Sequence, residues 1–167
     1  MIQKHSGKRG DIAIVAAAMA VAAASPALAA TGNSNMTVST TIPTTCALGS
    51  VTNIAFANPS GLSVTQTDAT GSIAVTCTNG GTYTVGADNG QNYASSTRNM
   101  KSTRSGSSAV LSYALYSDSG HSTALTTSAS IVGDGSAQTF SIYGRMPAQT
   151  ATEAGSYTDT VSLTVTY

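Results

Sequence analysis

The chain has 167 residues, seven basic and seven acidic, with two cysteines and no tryptophan. So neutral a chain has no basic surface for nucleic acid or an anionic membrane. Two isolated cysteines and few histidines also supply too few ligands for a structural metal centre.

The first element is an export signal. Lys4, Lys8 and Arg9 precede an uncharged apolar run from Ile12 to Ala24, too short to span a membrane comfortably. Ser25, Pro26 and then Ala27-Leu28-Ala29 follow, with small residues where a signal peptidase requires them, so cleavage is expected after Ala29 or Ala30. Residues 1–29 are thus assigned to a signal peptide. What remains carries four basic residues (Arg98, Lys101, Arg104, Arg145) against six acidic ones, and about a third of it is Ser or Thr. Thr, Val and Tyr suit a pleated surface and Gly and Asn suit turns, so the chain reads as one all-β domain. Cys46 and Cys77 both lie in this exported part, where oxidising conditions favour a disulfide between them.

Asn35 to Ile42 alternates, with Met36, Val38, Thr40 and Ile42 on one face, and is expected to form an extended strand. Pro43 interrupts it as a hinge, and Thr44 through Cys46 to Leu48 forms a separate short strand. Ser72 to Thr78 aligns Ile73, Val75 and Cys77. Asn79-Gly80-Gly81 then signals a hairpin whose partner, Thr82 to Asp88, aligns Tyr83, Val85 and Ala87. Asp88 to Ser108 reads as a long connection with one short edge strand at Asn99 to Ser102. Further strands are expected at Val110–Tyr116, Ser130–Val132 and Thr139–Met146, with Gly133-Asp134-Gly135 a plain turn between the last two. In the final segment Val161, Leu163, Val165 and Tyr167 alternate with Thr and Ser up to the last residue. A sheet that ends on such a strand has an edge that another segment must cover.

A hydrolase would need a base for a serine, and after cleavage only His121 remains, in the loop-like Ser119-Gly120-His121-Ser122, where a solvated histidine is expected. No Gly-x-Ser-x-Gly elbow is present, so an enzyme is not expected. A secreted coat component or a carbohydrate-binding sandwich stays open as the alternative, with Tyr83, Tyr93, Tyr113, Tyr116 and Tyr143 as stacking candidates.

Taken in order, the alternating segment ending at Ile42 just before Cys46, Ser72-Ile73-Ala74-Val75-Thr76-Cys77, Leu111-Ser112-Tyr113-Ala114-Leu115-Tyr116 and the ending from Gly155 to Tyr167 resemble the subunits of archaic chaperone-usher pili, the spore coat protein U domain family. The resemblance implies an incomplete immunoglobulin-like sandwich of six main strands over 44–167. Its seventh strand would be supplied in trans by donor-strand complementation. It implies that residues 30–43 are the donor strand and hinge, with Met36, Val38, Thr40 and Ile42 as donor side chains, and that Thr40 departs from the larger apolar residue expected there. Val161, Leu163, Val165 and Tyr167 would line the acceptor groove, above Leu111, Tyr113, Phe140 and Ile142. The implied partners are other copies of the chain, a periplasmic chaperone, an outer-membrane usher and further pilus subunits. The implied location is a surface pilus reached through the periplasm, serving adhesion or biofilm formation, with no cofactor.

Overall fold

A computed structural model describes residues 28–167, so the signal-peptide assignment lies almost entirely outside the described residues. The chain divides into two units, Met1–Thr40 and Thr41–Tyr167. Residues 28–40 of the first contain no strand or helix, and every side chain in them is exposed. The strand expected over Asn35 to Ile42 is therefore in no ladder here. Alternation alone does not make a strand, because its amides and carbonyls need a neighbouring edge to pair with.

The second unit is an all-β, immunoglobulin-like sandwich in which every pairing is antiparallel. Its elements are β1 (Cys46–Thr52), β2 (Ser63–Val64), β3 (Thr67–Cys77), β4 (Thr82–Ala87), β5 (Arg98–Ser102), β6 (Val110–Tyr116), β7 (Ile131–Val132), β8 (Ala137–Met146), β9 (Gln149–Thr150), β10 (Tyr157–Thr158) and β11 (Leu163–Thr166). One sheet runs β1-β3-β8-β6-β5-β10 and the facing one β11-β4-β7, with β2-β9 a small separate pair.

Period-two alternation builds the core. Ile73, Val75 and Cys77 of β3 pack with Tyr83 and Val85 of β4, and Tyr113 and Leu115 of β6 pack with Ile142 of β8 and Leu125. Leu125 is completely buried although it sits in a Ser/Thr-rich loop without any periodic pattern.

Two expected elements are corrected. Asn79-Gly80-Gly81 does turn the chain, with Gly80 at φ 79° and the Gly81 amide donating to Thr78 O at 2.9 Å. It does not make a hairpin, however, because β3 pairs with β1 and β8 while β4 pairs with β11 and β7. The turn carries the chain from one sheet to the other. Gly80 N donates to Gly133 O and Gly133 N to Gly81 O, so its outer bonds go to the later Gly133 turn. The strand expected at an edge near Asn99 is β5, which lies inside the sheet between β6 and β10. Arg98 anchors its start by donating to the carbonyls of Ala87, Asp88 and Leu125, and Asn99 is buried, donating to the Asn92 and Thr97 carbonyls.

Candidate functional site: an open groove between two strand edges

Facing residues of an antiparallel pair share a face of the sheet. Cys46, Leu48 and Val51 face Cys77, Val75 and Ile73, all of which are buried, so β1 also turns these three inward. A bulge between Leu48 and Val51 sets three steps of β1 against two of β3 and keeps both apolar side chains on that face. Yet Leu48 is 57% and Val51 55% exposed, so most of the inner face of β1 has nothing packed over it. The disulfide between Cys46 and Cys77, with Cα atoms 4.1 Å apart, ties this edge strand to β3.

The opposite wall is the strand that ends in β11. Tyr157, Asp159, Val161, Leu163 and Val165 are half-buried, while Thr158, Thr160, Ser162 and Thr164 are exposed. Ser162 O accepts from Asp88 N and Thr160 O from Gln91 N, so the even-numbered residues bond toward β4. By the alternation of an antiparallel ladder, the amides and carbonyls of Leu163 and Val165 point the other way, to the open side. The structure thus brings together two apolar faces on facing sheets, each beside a strand edge that is unpaired among the described residues.

The floor is built by glycines. A Cβ at Gly71 would meet Ile54 Cγ1 and Thr52 O at 2.7 Å, and one at Gly144 would meet Ile54 Cγ2 and Phe56 Cζ at 3.0 and 3.1 Å. Their bare backbone lets Ile54 and Phe56 lie down on the inner face. Two adjoining clefts follow, of about 820 and 440 Å3, which share Ile54, Phe56, Met100 and Tyr157. The larger adds Leu111 and Met146, and the smaller adds Val51, Tyr113, Ile142, Val161 and Leu163. Apolar side chains predominate in the lining of both, and both are open to solvent, as entry of an extended chain requires.

Residues 32–164 match the family model of the Spore Coat Protein U domain. The chain belongs to the spore coat protein U domain family. No curated protein matches it. Among solved structures it is similar to a chain of the CsuC-CsuE chaperone-tip adhesion subunit pre-assembly complex from archaic chaperone-usher Csu pili of Acinetobacter baumannii. The two are 21% identical with a TM-score of 0.55, over 76% of this chain and 40% of that one, a likeness of fold.

Within this spore coat protein U domain, Val161, Leu163, Tyr113 and Ile142 line the smaller cleft and Leu111 the larger. Val165 and Phe140 pack instead on the buried cluster around Val75 and Tyr83. Tyr167 lines neither cleft and is 59% exposed, because it lies one residue past the β11 ladder. Met36, Val38, Thr40, Ile42 and Pro43 are all exposed. The groove residues that the sequence reading did not single out are Ile54, Phe56 and Met100; the first two lie outside any strand, and Ile54-Ala55-Phe56 is too short an alternating run to mark one.

One polar network stands in the apolar wall. Tyr113 Oη donates to Asp159 Oδ2 at 2.7 Å, and Asn92 N and Nδ2 donate to Asp159 Oδ1 at 3.1 and 2.9 Å. Burial, and next the Asp159 carboxylate beside it, push the Tyr113 hydroxyl well above its ordinary pKa. It stays a neutral donor at any physiological pH.

His121 is not the solvated loop residue expected. Its side chain is only 8% exposed, it sits edge-on to Tyr116 at 5.2 Å, and its Nδ1 lies 3.1 Å from Arg145 Nη2. Arg145 in turn forks onto both oxygens of Asp68 at 2.7 and 2.8 Å. The loop folds the ring down because Asp118 accepts from the Ser122 and Thr123 amides and draws 118–123 into a tight turn. The imidazole a serine nucleophile would need is engaged with Arg145, beside Asp68, rather than with a serine.

Proposed function

We propose that this chain is a structural subunit of an archaic chaperone-usher pilus that polymerises by donor-strand exchange. The observation that carries the reading is the groove, in which Val51, Val161 and Leu163 line one cleft between two strand edges that are unpaired among the described residues. A strand laid there pairs with an open backbone edge and buries alternate side chains, which is β-strand addition. The segment with the right pattern is the chain's own Met36, Val38, Thr40 and Ile42, acting on another copy. Family membership supports the assignment, as does the fold shared with a chain of a chaperone–subunit complex.

On this reading a periplasmic chaperone occupies the groove first, and at an outer-membrane usher the N-terminal segment of the next subunit replaces it. Further pilus subunits use the same exchange, and the surface fibre serves adhesion or biofilm formation. Residues 30–43 are then the donor and its Pro43 hinge, and 44–167 the acceptor.

Val38→Asp or Ile42→Asp tests the reading, since a charge carried into an apolar groove is costly while both side chains are exposed and outside any strand in the monomer. Either variant is expected to abolish fibres seen by electron microscopy while leaving the circular dichroism of the monomer unchanged. Fibres of normal length from both variants would overturn it.

A further inference from the structure

Resting on the reading that the groove takes the N-terminal segment of another copy, the geometry points to a single register for that strand: antiparallel, with Thr40 opposite Asp159. The acceptor wall is not uniformly apolar. Along its inward positions it reads Tyr157, Asp159, Val161, Leu163, so one carboxylate interrupts three apolar side chains. The donor face reads Met36, Val38, Thr40, Ile42, and one hydroxyl interrupts three apolar side chains there.

Run antiparallel, the two patterns superpose: Met36 on Leu163, Val38 on Val161, Thr40 on Asp159, Ile42 on Tyr157. A shift of two residues either way sets Val38 or Ile42 against the carboxylate and strands Thr40 over Tyr157 or Val161, respectively. Run parallel with Thr40 still on Asp159, Met36 falls on Gly155 and Leu163 is met by Thr44. Only the antiparallel match covers all three apolar wall positions with apolar side chains.

Asp159 cannot swing away from the groove to relieve a mismatch. Tyr113 and Asn92 hold it with three hydrogen bonds. Behind it Gly90, at φ 80°, comes so close that a Cβ there would collide with Oδ2. Two carboxylate oxygens can accept more than three donors, so capacity is left for one hydroxyl. Cross-strand partners bring their Cβ atoms within about 5 Å, the reach of a threonine Oγ1 to a facing carboxylate. A donor strand seals the carboxylate from solvent, and the hydroxyl then satisfies acceptor capacity that would otherwise be buried without a partner. Thr40, out of place in an apolar donor, then becomes the residue that sets the register.

The test uses outward-facing neighbours, which this register pairs as Ser39 with Thr160 and Thr37 with Ser162. Fibres assembled from full chains carrying Ser39→Cys with Thr160→Cys, or Thr37→Cys with Ser162→Cys, are expected to give a ladder of covalent multimers on oxidation, with Cys46–Cys77 left in place. Ser39→Cys paired with Thr158→Cys or Ser162→Cys is expected to give none. Cross-linking at 39/158 or 39/162 instead would overturn the register while leaving strand donation standing; fibres that cross-link at no pair would overturn both. As a second readout, Thr40→Val is expected to lower the temperature at which fibres dissociate and Thr40→Ser to retain it. Fibres equally stable with Val would overturn the pairing with Asp159.

Discussion

Asp118 lies at the surface, yet its carboxylate is held down to about 2, first by the Ser122 amide and then by the Thr123 amide. Arg145 likewise lowers Asp68, the Gly90 and Ser162 amides lower Asp88, and the Ser102 and Ser107 hydroxyls lower Glu153. A carboxylate whose folded pKa is depressed contributes stability above its unfolded value of about 4 and loses it as pH falls through the folded pKa. The denaturation midpoint of the monomer is therefore expected to fall as pH drops from about 4 toward 2, and Asp118→Asn to flatten part of that fall in a urea titration. Gly90 carries a separate consequence. Gly90→Ala places a Cβ against the Asp159 carboxylate at a left-handed φ, and about 1–3 kcal/mol of monomer stability is expected to be lost in the same titration. At this scale the sequence was only partly readable. The Asp118 turn shows as the run Asp118-Ser119-Gly120, whereas the tie from Asp159 to Tyr113 spans 46 residues and has no local signature.

Among the elements, β1 depends most on a covalent bond, since it has a partner on one side only and little burial of its own. Removing the bridge with Cys46→Ser and Cys77→Ser is expected to cost about 3–4 kcal/mol by the loop-closure estimate. Melting the chain with and without reductant measures it. Strands with strict alternation, such as Ile73-Ala74-Val75-Thr76-Cys77 and Leu111 to Tyr116, are legible because each buries every second side chain in one core. Which sheet a strand joins is not legible. Asn79-Gly80-Gly81 specifies a tight turn, but a turn leading to a hairpin and one crossing between sheets use the same residues. The pinning of β5 by Arg98 was equally hidden, because its acceptors are main-chain carbonyls that no side-chain pattern reports.

For the whole molecule, the groove follows from what the sheets leave uncovered rather than from any motif. Alternation marks Val161 and Leu163 as inward-facing, but that Leu48 and Val51 are inward and bare depends on the β1 bulge, and the floor depends on Ile54 and Phe56 settling over Gly71 and Gly144. In the proposed assembly, residues 30–43 of one copy fill that groove in the next. Deleting those residues after the signal and measuring assembly by electron microscopy tests it most directly. The truncated chain is expected to fold and bind chaperone but to form no fibres, and fibres of normal length from it would contradict the account.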